Sequence, residues 1–169
     1  MKIAIVSDTH NNVKNFIKAI NWINKKNIKI ILHCGDLGDV NFLKDSLQNF
    51  SGEFFGVFGN MDFDNKILIT EYNKIPRVKM DDKIFELKID NKKIAITHKP
   101  VDARPLAESG KFDIVFYGHT HKPWEERVGG CRMVNPGELA GQLFRPTFAV
   151  YDVSSDLLEL KILDRLDFV

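Results

Sequence analysis

Short unbroken apolar runs, each closed by polar residues, recur along this chain. Ile3 to Val6 runs into Ser7-Asp8, Ile28 to Leu32 into His33-Cys34-Gly35-Asp36, and Phe54 to Phe58 into Gly59-Asn60. A run without alternation marks a strand covered on both faces, as in a parallel sheet. Between the first two runs, Val13, Phe16, Ile17, Ile20 and Ile23 recur at helical spacing behind Asn11 and Asn12. That pattern predicts a capped amphipathic helix from Val13 to Lys25. Phe42, Leu43 and Leu47 predict a short second helix. Strand, helix, strand, helix, strand at this spacing is a βαβαβ unit, hence a largely parallel sheet.

The second half changes character. Ile84 to Ile89 and Lys92 to Thr97 flank Asp90-Asn91, a hairpin signal. Ala103 to Ser109 predicts a short helix, and Phe112 to Tyr117, Cys131 to Val134 and Phe148 to Val153 predict strands, the last paired with Leu157 to Leu163 in a terminal hairpin. No repeat, low-complexity tract or Gly/Ser linker interrupts the chain. The expectation is one α/β domain over residues 1–169, with two packed sheets and helices outside.

Composition changes this little. Hydrophobic residues make up 44% and charged residues 28%, and the formal net charge of +1 is spread along the chain. This balance gives no reason to expect nucleic acid or a membrane surface as the main partner. The opening apolar run is too short for a signal peptide or a membrane span, so a cytoplasmic location is expected. Cys34 and Cys131 are expected as free thiols, and neither belongs to a Cys-x-x-Cys zinc pair.

The chemistry lies where the runs stop. Their ends carry Asp8 and His10, then Asp36, Asn60 and His98, and finally His119 and His121 in Tyr117-Gly118-His119-Thr120-His121. In open α/β sheets functional groups gather at the carboxyl ends of strands, so residues distant in sequence can converge there. Two carboxylates, one amide oxygen and four imidazoles form a mixed O/N set suited to Mn, Fe, Ni, Co or Zn rather than calcium. Seven such side chains exceed the three or four protein ligands of one open site. A carboxylate bridging two ions uses the excess, and Asp36 is the natural candidate.

The order Asp8-x-His10, Gly35-Asp36, Gly59-Asn60, His98 and Gly118-His119-x-His121 resembles the calcineurin-like metallophosphoesterases, through Asn135-Pro136-Gly137. Among them it is most similar to the small single-domain phosphodiesterases of bacteria and archaea. The resemblance implies two mixed β-sheets packed as a sandwich flanked by helices. It implies two divalent ions, manganese first, with Asp8, His10, Asp36 and His121 on one and Asp36, Asn60, His98 and His119 on the other. The implied activity is hydrolysis of a small phosphodiester by a hydroxide bridging the ions, with Asp36, Asn60 and His119 in catalytic roles. The same fold also serves as a scaffold subunit of the eukaryotic retromer, so a metal-binding scaffold or regulatory protein is the alternative.

Two departures stand out. Lys99-Pro100 follows His98 where the family often has glycine, and Met61 follows Asn60 where the protein-phosphatase branch has histidine. The other candidates read as structure. His33 is expected as a satisfied core histidine and Cys34 as a small buried hydrophobe. Asp62 and Asp64 are expected as helix caps, and Arg104 and Arg145 as surface ion pairs or phosphate contacts. Trp22 and Trp124 fit packing or a patch for a second copy in a homo-oligomer.

Overall fold

A computed structural model describes residues 1–62 and 65–166. Its first half alternates β1 (Lys2–Val6), α1 (Val13–Lys25), β2 (Ile30–His33), α2 (Val40–Ser46), β3 (Glu53–Val57), α3 (Asn65–Tyr72) and β4 (Val78–Asp81). These four strands pair in parallel. The second half runs β5 (Ile84–Ile89), β6 (Lys92–Thr97), α4 (Pro100–Glu108), β7 (Ile114–Phe116), β8 (Trp124–Val128), β9 (Cys131–Asn135), β10 (Thr147–Asp152) and β11 (Leu157–Ile162). β10 and β11 return to the first sheet, whose order is β11-β10-β1-β2-β3-β4, while the second sheet runs β5-β6-β7-β9-β8. Both sheets are mixed, as expected. No helix among the described residues is long and apolar enough to cross a membrane.

The unbroken apolar runs have a direct cause: each face of the first sheet has its own cover. Ile3 and Ile5 pack between the sheets with Ile94, Ile96 and Phe116. Their neighbours Ala4 and Val6 face the other way, under Phe16, Ile20 and Ile23 of α1 and Phe42 of α2. Ala103 and Ala107 of α4 cover the outer face of the second sheet at Val115 and Met133. The layers are therefore helix, sheet, sheet, helix. Asn12 caps α1 by accepting the Asn15 N–H at 3.0 Å, and Asp39 caps α2 through Phe42 at 2.8 Å.

His33 is the satisfied core histidine that the sequence suggests. It is fully buried between Phe16 and Phe54. Thr9 gives its hydroxyl proton to the Leu37 carbonyl at 2.7 Å, so its oxygen accepts from His33 Nε2 at 3.0 Å. The Gly35 N–H donates to His33 Nδ1 at 3.2 Å. A second proton would have no acceptor, and burial first, then the charge of His98, lowers the pKa to about 3. The unfolded imidazole binds its proton near pH 6.5, so from there down to about 3 stability falls by up to ~1.4 kcal/mol per pH unit. We predict that metal-free protein weakens along this slope while the His33 ring resonances stay flat to about pH 4.5. A ring titrating near its ordinary pH would refute the assignment.

The structure departs from the sequence reading at several elements. β4 and β8 were not expected: the first offers only Val78 and Met80 as buried positions, and the second has no buried residue. α4 begins at Pro100, ahead of the expected start, because proline at the first helical position needs no N–H partner. Asp62 ties loops together through the Leu37, Gly38 and Gly59 N–H groups, and Asp64 lies outside the described residues.

Candidate metal centre

The loops leaving the strands turn sharply at the candidate ligands themselves. Asp8 (φ 51°), His10 (44°), Asp36 (52°), His119 (71°) and His121 (60°) all occupy left-handed backbone. Such non-glycine positions cost on the order of 1 kcal/mol each and persist where the surroundings over-determine them. Here the loops are stitched to one another. Asp8 N–H donates to the Gly35 carbonyl at 3.0 Å, His10 N–H to Asp36 at 3.1 Å, Gly118 N–H to His98 at 2.9 Å, and Ala140 N–H to Asp8 at 3.0 Å. Two glycines permit this closeness. A Cβ at Gly59 would strike the Asp36 carboxylate, and one at Gly118 would strike Ser7 and Asp8.

All seven predicted side chains come to one mouth shared by both sheets. Asp8, His10 and His121 place one ligand atom each within 4.8 Å of one another, as do Asp8, Asp36 and His98. Asp36 Oδ2 lies 3.4 Å from His98 Nε2 and 3.9 Å from His10 Nε2, so its carboxylate sits between the two imidazoles. His121 Nε2 is 3.4 Å from Asp8 Oδ1 and from His10 Nε2. Asn60 Oδ1 is 3.0 Å from His98 Nε2. The ring of His119 stands 5.0 Å from that of His98 on the open side, and its backbone N–H donates to Asp8 Oδ2 at 3.1 Å.

Protonation follows from these neighbours. Burial alone would lower the pKa of His98, but its hydrogen bond to Asp36 and the charge there reverse this and raise it. Burial would raise Asp36, yet His98 and the Met61 N–H bring it below the usual carboxylate range. Asp8 is raised because burial outweighs the Ser7 hydroxyl that donates to it. Burial, then His98 and Lys99, lower His119. A proton on His98 Nε2, facing Asp36 at 3.4 Å and Asn60 at 3.0 Å, would occupy the space where a cation would meet the same atoms, so cation binding would expel it.

A surrounding set of residues holds these groups, and the sequence reading missed its centre. Glu138 is fully buried, accepts the N–H groups of Gln142, Leu143 and Phe144, and lies 3.1 Å from His121 Nδ1. The available signal was an acid directly after Asn135-Pro136-Gly137 and before Leu139-Ala140, a setting without a solvent face. Asn135 Nδ2 donates to the Gly118 carbonyl at 2.8 Å, holding the His119 loop. Asp62 accepts from Leu37 at 3.0 Å, Gly38 at 3.2 Å and Gly59 at 2.8 Å, which joins the Asp36 and Asn60 loops. Cys34 is buried beside His98, with burial pushing its thiol pKa up, as befits a hydrophobe. Arg104 pairs with Glu126 at 2.9 Å, and Arg145 is exposed. Trp22 packs edge-on against Phe148, while Trp124 is exposed.

Two mixed sheets back to back, with carboxylates and imidazoles gathered at one mouth, define the metallophosphoesterase class. The chain belongs to the calcineurin-like phosphoesterase superfamily, whose domain profile matches residues 1–156. The phosphodiesterase MJ0936 of Methanocaldococcus jannaschii is 34% identical over 155 residues, covering 90% of this chain and 93% of that protein. A solved archaeal phosphodiesterase is similar with a TM-score of 0.85 at 31% identity, over 96% of this chain and 99% of that chain. Zinc-complexed Vps29 from Entamoeba histolytica shares the fold at 20% identity, with a TM-score of 0.65 over 95% of this chain and 90% of that chain.

Proposed function

We propose that this phosphoesterase-family chain is a phosphodiesterase working with two divalent cations, manganese first among Mn, Ni, Fe, Co and Zn. Asp8, His10, Asp36 and His121 would hold one cation, and Asp36, Asn60, His98 and His119 the other. One observation carries this reading: two of the imidazoles are held in a fixed tautomer. The Cys34 carbonyl, 2.8 Å from His98 Nδ1, can only accept, so that nitrogen keeps its proton and Nε2 is left toward Asp36. The Glu138 carboxylate does the same at His121 Nδ1 and leaves Nε2 toward Asp8. Backbone carbonyls and carboxylates behind imidazoles orient metal ligands in this way.

Such cations, when bound, supply Lewis-acid charge to the phosphoryl oxygens and lower the pKa of water. The chain supplies the rest. Asn60 offers a neutral amide that can also orient the phosphate, and exposed His119 can meet the substrate at the mouth. The small aromatic diester bis(4-nitrophenyl) phosphate tests the reading, assayed with manganese and after chelation. Metal-dependent release of nitrophenolate is expected, and its absence with all five of these cations would overturn the reading. The fold likeness to zinc-complexed Vps29 supports a second reading, a metal-binding scaffold or regulatory protein. It predicts bound metal without turnover.

Glu138 gives a sharper check on the ligand assignment. Its side chain accepts from backbone N–H groups and from an imidazole, so an amide there puts a donor against donors. Glu138→Gln should weaken metal binding about 10–100-fold, measured by competition with a chelator. An affinity within about twofold of the unaltered protein would remove His121 positioning from the account.

A further inference from the structure

Beside the ligands, on the side of Asn60 and His98, lies a cleft of about 480 Å³. Its walls include Phe58 and Val101, and its polar groups include Thr97, Lys83 and Lys99. That volume is within the range that encloses a small organic ligand, and is far more than a bare phosphoryl group fills. The cleft therefore has room for a substrate portion that takes no part in bond breaking.

Its charges are arranged unevenly. Lys83 Nζ is held by Asp102 at 2.9 Å, so those two groups largely cancel. Asp82 also lines the cleft, from the turn between β4 and β5, so the cavity is not uniformly positive. Lys99 differs from both. It is half-buried, directly follows His98, and has no carboxylate ion-pair partner among the described residues. Its backbone is fixed because its carbonyl accepts the Asp102 and Ala103 N–H groups and Pro100 begins α4 behind it. An ammonium on a backbone so anchored beside the reacting centre, with no carboxylate partner among the described residues, is suited to an anion that arrives with the substrate.

We propose that this cleft receives the non-reacting part of a nucleotide-sized phosphodiester and that Lys99 binds a second phosphate carried on it. The proposal rests on the phosphodiesterase reading and narrows its substrate class. Lys99 is a specificity residue here and takes no part in the bond-breaking step.

The test uses two substrates that release the same 4-nitrophenolate: the 4-nitrophenyl ester of thymidine 5′-phosphate, and that ester bearing a further phosphate on the 3′ oxygen. The unaltered protein with manganese should favour the ester bearing the 3′-phosphate in kcat/KM. Lys99→Gln should reduce that preference about fivefold to tenfold, chiefly through KM, since a charge-assisted hydrogen bond at a half-exposed site is worth about this much. Lys44→Gln, in a separate cleft with Phe50 and Ile75, removes the same charge elsewhere and should leave the preference intact. Calorimetry gives a readout without turnover: thymidine 3′,5′-bisphosphate should bind more tightly than thymidine 5′-phosphate, and Lys99→Gln should erase the difference. Equal use of both esters, or a preference untouched by Lys99→Gln, would overturn the proposal and leave the phosphodiesterase reading standing. Failure to hydrolyse either ester or bis(4-nitrophenyl) phosphate would instead sink that reading, and this proposal with it.

Discussion

Asp36→Asn is expected to reduce hydrolysis about a thousandfold or more and to remove metal from the purified protein at the same time. The Asp36 carboxylate lies between the Nε2 atoms of His98 and His10, at 3.4 and 3.9 Å, and its Oδ1 accepts the Met61 N–H at 2.8 Å. An asparagine can keep that backbone bond through its own oxygen. It cannot keep the negative charge that two cations would share, and charge stabilisation of this kind is worth several kcal/mol, each ~1.4 kcal/mol being tenfold in rate. The fold itself should survive at a modest cost in stability: His98 and the Met61 N–H favour the Asp36 charge, and losing that outweighs the relief of repulsion with Asp8 in the metal-free protein. Metal analysis, activity with manganese and thermal unfolding after chelation measure the three effects separately. Near-normal turnover in a variant that folds normally would end the bridging assignment.

How much of this was legible in advance depends on which physical signal each element carries. β1, β2 and β3 are covered by the second sheet on one face and by helices on the other, so their sequences are continuously apolar and easily seen. α1 shows its stripe because one face packs against the sheet and the other meets solvent. β4 and β8 lie at sheet edges, where burial demands little of the side chains. The Trp124–Val128 strand thus reads Trp-Glu-Glu-Arg-Val and looks like a loop. Such an element is held by register with its neighbour, here Trp124 opposite Asn135 through Val128 opposite Cys131.

The candidate site divides along the same line. Residues whose type is itself a metal ligand, clustered at the ends of apolar runs, could be picked out without coordinates. Those that act by holding other residues could not. Asp62 resembles a helix cap in sequence, and only the approach of the Leu37 and Gly59 loops makes it a clamp. Glu138 stands in an apolar stretch that hints at burial, but its role is visible only when the chain from Gln142 to Phe144 wraps its carboxylate beside His121. The positive φ angles at the ligands are invisible in sequence as well, since glycine, the residue that would announce them, is absent from those five positions.

The rate of hydrolysis should fall steeply as the leaving group becomes more basic. Methionine cannot donate a proton, and Met61 stands half-exposed after Asn60 where the protein-phosphatase branch of the family has histidine. The structure also removes two substitutes. His33 is fully buried, has both ring nitrogens engaged, and its pKa of about 3 keeps it neutral at working pH. Burial raises the pKa of Asp62, but its two carboxylate oxygens are turned to the N–H groups of Leu37, Gly38 and Gly59, so it is a positioning group here. A positioned general acid is typically worth ~10²–10⁴-fold, and it matters most for a basic alkoxide. Nitrophenyl diesters should therefore be cleaved well, and alkyl diesters should lag by at least that missing factor. Met61→His should recover part of the loss on alkyl diesters and change nitrophenyl hydrolysis little. A shallow dependence in the unaltered protein, measured across a series of aryl and alkyl diesters, would mean that another group donates the proton. In that case the inference from Met61 would be lost.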